Sequence, residues 1–284
     1  MSILEIQNLT KRYGKARGVE ALSMTVEPGE ILGFIGPNGA GKSTTIRCVM
    51  NLLHKNEGEI LFEGTPLRQN DTAAYAKIGY LPSEIRLYDT LTGEQMLRYN
   101  ASFYEGGAME KAHALAERLQ FDPAKKLSAL SLGNGKKLGV ILCLMHSPTL
   151  VVMDEATSGL DPLVQESVYE IIREERAAGT SFLFSSHNLS EVKKLCDRVA
   201  ILREGRLLRL APMKELTERN AVRVRLESED APDPSLGFTR EGGGYTALYT
   251  GDMNHLVAAL GGLRLHRLTI EEPELEEIFL HYYE

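Results

Sequence analysis

"ILGFIGPNGAGKSTTIRCVMNLL", Ile31 to Leu53, runs from an apolar stretch through a glycine-rich turn into a segment whose apolar residues recur at helical spacing. Bounded upstream by "EPGE", it predicts strand, loop, helix. Within it, Gly36 to Ser43 fits the phosphate-loop pattern G-x-x-x-x-G-K-[ST] in the context that pattern requires. The spacing has a physical cause. Glycines let the backbone wrap around phosphates while successive N–H groups and a helix N-terminus point at the anion. The candidates to hold a nucleotide are therefore Gly36, Pro37, Asn38, Gly39, Ala40, Gly41, Lys42, Ser43 and Thr44. Lys42 reaches the β- and γ-phosphates as a point charge, and the Ser43 hydroxyl can ligate magnesium (Mg2+).

Two further apolar runs, "LVVM" from Leu150 and "SFLFS" from Ser181, are separated by a helical pattern over about Pro162 to Ala178. Buried runs alternating with helices predict an α/β fold on a parallel sheet with covered faces. Between Leu91 and Arg118 the strand signal vanishes, and "GEQMLRYNASFY" and "EKAHALAERL" read as amphipathic helices, a helical insertion. After "PMKEL" the chain changes character. "AVRVRLES" alternates, Gly242 to Gly244 reads as a hairpin turn before "YTALYT", and "EEPELEEIFLHYY" reads as a terminal helix. These signals predict a large domain over 1–215, with a helical subdomain at about 84–147, and a small α+β appendage over 216–284.

Composition narrows the partners. A chain of 284 residues with 43% hydrophobic and 25% charged residues suits an ordinary globular protein of one large and one small domain. The net charge of −7 offers no global field for nucleic acid, and none is expected as a partner. The start lacks the pattern of a secretory signal, and the longest apolar runs fall well short of the roughly 20 residues that span a bilayer. A cytoplasmic protein reaching the membrane only through a partner is expected. Cys48, Cys143 and Cys196 form no CxxC pair and read as inert thiols.

Four more residues carry chemistry. Asp154 and Glu155 end an apolar strand, and alternation along it would send them in different directions. Asp154 would then hold magnesium while Glu155 orients or deprotonates an attacking water; alternatively the pair caps the next helix. His187 follows another strand at the same sheet edge, where doubly wound folds bind ligands, and could sense a γ-phosphate. Tyr13, placed in a loop after the first strand signal, is either an ordinary aromatic or a platform for a base.

Lys42, the Asp154–Glu155 pair, "SGLD" from Ser158 to Asp161, and His187 occur in the order found in ABC transporter ATPase subunits, which the chain resembles from Ile3 to about Leu216. "LSLGN", Leu130 to Asn134, stands where that family has its LSGGQ signature. The resemblance implies a P-loop ATPase of the ABC type that binds and hydrolyses ATP with Mg2+. It implies Tyr13 against adenine, Asp161 in a loop crossing a dimer interface, and His187 as the switch histidine. It further implies a head-to-tail homodimer or related heterodimer with a second ATPase subunit. There Ser131 and Gly133 meet the γ-phosphate of the opposite subunit, while Asn134 remains a good helix-start residue. The appendage resembles the tail of ATPases in ABC-2 type exporters, which implies multi-span permease subunits and a place on the inner face of the membrane. Leu132, Asn134, Ser83 at the Q-loop glutamine position and Ala156 depart from the pattern. Ser83 is too short to reach a magnesium shell. Rival readings are a soluble ABC-type ATPase acting on nucleic acid or ribosomes, a non-hydrolysing regulator, and import in place of export.

Overall fold

Every position of three short strands is buried: β3 (Ile31–Ile35), β7 (Leu150–Asp154) and β8 (Ser181–Ser185). Strands covered on both faces carry continuous apolar sequence, which is how these runs read. The computed structural model describes residues 1–14, 16–104, 106–217 and 222–271. It divides into two units, Met1–Ala211 and Pro212–Glu284.

In the first unit, β1 (Leu4–Tyr13), β2 (Ala16–Val26), β4 (Glu57–Phe62) and β5 (Thr65–Pro66) form a sheet of order β2-β1-β4-β5. The sequence signals did not reveal it. Register shifts between Ile6 and Leu9 and between Leu9 and Lys11, with left-handed Asn8 (φ 48°) and Ala21 (φ 47°), break the two-residue alternation. The central sheet adds β6 (Ile78–Leu81), β9 (Arg198–Arg203) and β10 (Arg206–Pro212), in order β10-β9-β3-β8-β7-β6. Parallel pairing runs from β9 through β3, β8 and β7 to β6.

Helix α1 (Lys42–Val49) is shorter than its apolar pattern, because Asn51 enters the left-handed region at φ 53°. After α2 (Thr72–Tyr75) come three helices: α3 (Gly93–Ala101), α4 (Ala108–Arg118) and α5 (Leu132–Leu144). A reciprocal capping box opens α3: the Gln95 backbone N–H donates to the Thr92 hydroxyl at 3.3 Å, and the Thr92 N–H to the Gln95 side-chain Oε1 at 2.9 Å. Helices α6 (Pro162–Ala177) and α7 (Leu189–Leu195) follow β7 and β8. Cys48, Cys143 and Cys196 are buried free thiols.

A division after residue 215 would fall inside α8 (Met213–Thr217). Beyond it, β11 (Val222–Ser228), β12 (Thr239–Glu241), β13 (Gly244–Tyr249) and β14 (Leu265–Glu271) form a sheet of order β12-β13-β11-β14. With α9 (Met253–Leu260) the sheet encloses Val224, Leu226, Leu236, Tyr249, Leu256 and Leu260. Glu241 pairs with Gly244 across a two-residue turn in which Gly242 (φ 56°) and Gly243 (φ 92°) are both left-handed, the turn such hairpins favour. Of the expected terminal helix "EEPELEEIFLHYY", Glu271 instead ends β14 and the rest lies outside the described residues. Among those described, no helix is long and apolar enough to cross a membrane.

Candidate functional site

The phosphate loop joins the buried end of β3 to the first turn of α1. Gly41 sits at φ 107° just before Lys42, a conformation open to glycine and costly for other residues. The loop is tied down by the Ala40 N–H on the Pro37 carbonyl (3.0 Å) and the Gly205 N–H on the Ala40 carbonyl (3.0 Å). Lys42 is 6% exposed, and its ammonium donates to the carbonyls of Gly36 (2.6 Å) and Pro37 (3.4 Å). Burial lowers its pKa, opposed by the charges of Glu155 and Asp154. An open cleft in front is lined by Gly18, by Asn38 to Thr44, and by Glu155. Gly36 and Pro37 are not among its lining residues.

Asp154 is the last residue of β7 and 2% exposed, and its Oδ1 is buried without a hydrogen-bond partner. An orphaned buried carboxylate oxygen is costly in a dry site and is the hard donor that a magnesium ion takes. Among the described residues no cluster of three or more acidic, histidine or cysteine side chains is placed to hold a metal. Magnesium does not need one, because phosphate oxygens and waters complete its shell.

Glu155 diverges from Asp154 because its own backbone turns left-handed, at φ 53°, and not through strand alternation as the sequence suggested. Its N–H donates to the Ser185 carbonyl at 3.0 Å, tying the end of β7 to the end of β8. The carboxylate then meets His187, whose Nδ1 lies 3.2 Å from Oε1. Neither acid caps the next helix. That position belongs to Asp161, whose carboxylate accepts the Val164 N–H at 3.1 Å ahead of Pro162.

Tyr13 is the final residue of β1 and not part of a loop. Its exposed ring has its hydroxyl 3.5 Å from Thr44 Oγ1, with the Lys11 ammonium 5.5 Å from the ring centroid.

Ser131, Gly133 and Asp161 do not line the phosphate cleft. Ser131 is the N-cap of α5; its hydroxyl oxygen accepts from the Asn134 N–H (3.3 Å) and side-chain amide (3.1 Å). Asn134 therefore lies inside the first turn and serves the cap, where the sequence suggested a helix-start residue. Leu132 is 73% exposed, and Gly133 stands beside the Gly159 carbonyl of the "SGLD" segment.

Two buried charged residues bonded to the loops of the site were missed in the sequence. Glu191 is 5% exposed and accepts the Thr157 hydroxyl (2.6 Å) and the Ser186 hydroxyl (2.7 Å), joining the loops that carry Glu155 and His187. As the third residue after the Asn188 cap it reads as an ordinary helix-start acid. Lys136 is 3% exposed and donates to the backbone carbonyls of Ser83 (2.8 Å) and Glu155 (2.9 Å). One member of a lysine pair on a helix gives no sign of burial.

A family model described as ABC transporter matches residues 19–158. The linearmycin resistance ATP-binding protein LnrL of Bacillus subtilis (strain 168) is 34% identical over 222 residues, covering 76% of this chain and 71% of that protein. The bacitracin transport ATP-binding protein BcrA of Bacillus licheniformis is 30% identical over 299 residues, covering 98% of this chain and 96% of its own. Among solved structures, an ATP-binding subunit of an ABC transporter superimposes with a TM-score of 0.71 at 28% identity, over 76% of this chain and 92% of the other. Together with the phosphate loop on its parallel sheet, these similarities place the chain in the ABC transporter family, as an ATP-binding and ATP-hydrolysing subunit.

Proposed function

We propose that this chain is the ATPase subunit of an ABC-2 type exporter, working on the inner face of the cell membrane through multi-span permease subunits. It pairs head to tail with a second ATPase subunit. The similarity to BcrA supports export over import, because it runs over 98% of the chain and so takes in the C-terminal unit. A Nod factor export ATP-binding protein of Burkholderia lata is similar over the same share, at 30% identity. The residues that identify the cargo would lie on the permease.

The observation that carries the site is the Glu155–His187 contact of 3.2 Å at a cleft lined by the phosphate loop. Tyr13 packs against adenine. Backbone N–H groups from Gly39 to Thr44 and the N-terminus of α1 hold the phosphates, and the Lys42 ammonium exchanges its loop carbonyls for β- and γ-phosphate oxygens. Ser43 and Asp154 hold Mg2+, which neutralises charge on those oxygens when bound. Glu155 takes a proton from the water that attacks the γ-phosphorus; the bond to the β–γ bridging oxygen breaks, leaving ADP and phosphate. His187 holds the Glu155 carboxylate and senses the γ-phosphate. Ser131 and Gly133 of the opposite subunit close the site, with Asp161 in the loop at the interface.

Removing the base should slow hydrolysis roughly 10²- to 10⁴-fold while leaving ATP binding intact. In light scattering with ATP and magnesium, Glu155→Gln should accumulate as an ATP-bound dimer. A variant that turns over at the parental rate would reject Glu155 as the base.

A further inference from the structure

We infer that Lys136 is a positioning residue for ATP hydrolysis: its buried ammonium straps the signature helix α5 to the backbone of Glu155 and to the Ser83 loop, so that these move as one body. The inference rests on the role given to Glu155 above.

Its geometry is specific. Lys136 is three residues past the end of the "LSLG" turn, and its two acceptors belong to other segments, the loop after β6 and the loop after β7. Both acceptors are backbone carbonyls, so the strap does not depend on which side chain stands at position 83. The Glu155 residue sits at φ 53°, and tethering its carbonyl oxygen restrains the backbone from which the carboxylate departs.

The same face of α5 is seated against β6 and its loop without slack. A Cβ on Gly139, one turn beyond Lys136, would fall 2.4 Å from Ile85 Cδ1 and 2.6 Å from Leu81 Cδ1, and one on Gly79 would fall 2.2 Å from the Cys143 carbonyl oxygen. Packing this close leaves the helix little freedom to slide on the sheet, and the lysine adds direction to it.

Burying an ammonium is costly, and burial pushes the Lys136 pKa down against the pull of Asp154 and Glu155. A residue needed only for packing would be served by an apolar side chain of the same length. The ammonium instead supplies two directed bonds. The N-terminus of α5, which carries Ser131, thereby becomes mechanically continuous with Glu155 of its own subunit. Engagement of Ser131 by nucleotide would bear directly on the placement of the base.

The test is a cycle of Lys136→Met, Glu155→Gln and the double variant, measured by steady-state ATP hydrolysis and by ATP binding. Lys136→Met should lower kcat roughly 10- to 100-fold, the loss expected of a misplaced catalytic group, with ATP affinity within about threefold. In the Glu155→Gln background the same change should cost less than about twofold, because a strap acting through Glu155 has nothing left to place. Lys136→Arg, which keeps the donors, should recover much of the loss. Should Lys136→Met fail to fold, Lys136→Leu, which also lacks a donor, is read in the same cycle. An unchanged kcat, an equal loss in both backgrounds, or a parallel loss of ATP binding overturns the inference. Parental hydrolysis by Glu155→Gln instead overturns the role of Glu155 and is seen in its own arm.

Discussion

Two regions of the cassette each carry a buried lysine, and they use it in opposite ways. At the phosphate loop, Lys42 donates, among the described residues, to carbonyls of its own turn, Gly36 and Pro37. At the signature helix, Lys136 donates to Ser83 and Glu155, distant in sequence. Both are almost fully buried, both have pKa values lowered by burial, and both face Asp154 and Glu155. The first cation lines an open cleft and can trade its acceptors for phosphate oxygens without unfastening anything else. The second cannot leave its acceptors without loosening three segments. Burial and charge alone therefore do not separate a ligand-binding lysine from a structural one; the ownership of its acceptors does.

Substitutions sharpen that contrast, and the largest effect is expected at the phosphate loop. Lys42→Ala removes a charge-assisted donor to phosphate and should weaken ATP binding roughly 10- to 150-fold in a direct binding titration. Lys136→Met should lower kcat while sparing binding, as set out above. Equal effects on binding at the two sites would erase the distinction. The smallest effect is expected at Ser131, as far as the fold is concerned. Ser131→Ala removes the cap of α5 and should cost about 1 kcal/mol in a denaturant titration. A cost several times larger would mean that the signature turn holds more of the cassette together than its exposed Leu132 suggests.

Legibility in the sequence followed the same divide. The strand, phosphate loop and start of α1 could be read directly, because an anion site needs its glycines, lysine and hydroxyl in consecutive positions. The strands at Leu150 and Ser181 were legible because strands buried on both faces are continuously apolar. The sheet of β1, β2, β4 and β5 was hidden by register shifts and by the left-handed Asn8 and Ala21, which destroy alternation. Asp154, Glu155 and His187 were visible as strand-end residues, yet the reason the two acids diverge was not, since the left-handed turn at Glu155 has no signature in its residue type. Lys136 and Glu191 were invisible. Each depends on a partner supplied by tertiary structure, and a lysine in "GKKL" or a glutamate in "NLSE" looks like an ordinary surface residue until the loops that receive it are in place.

The central claim is that the two regions belong to one catalytic cycle, the phosphate loop of one subunit closed by the Ser131 turn of another. The most direct test is magnesium-dependent ATP hydrolysis by the purified subunit as a function of its concentration. A shared site predicts a rate per subunit that rises with concentration toward a plateau and disappears in Glu155→Gln. A rate per subunit that is finite and independent of concentration down to the most dilute samples would contradict it, because one chain would then be hydrolysing ATP on its own.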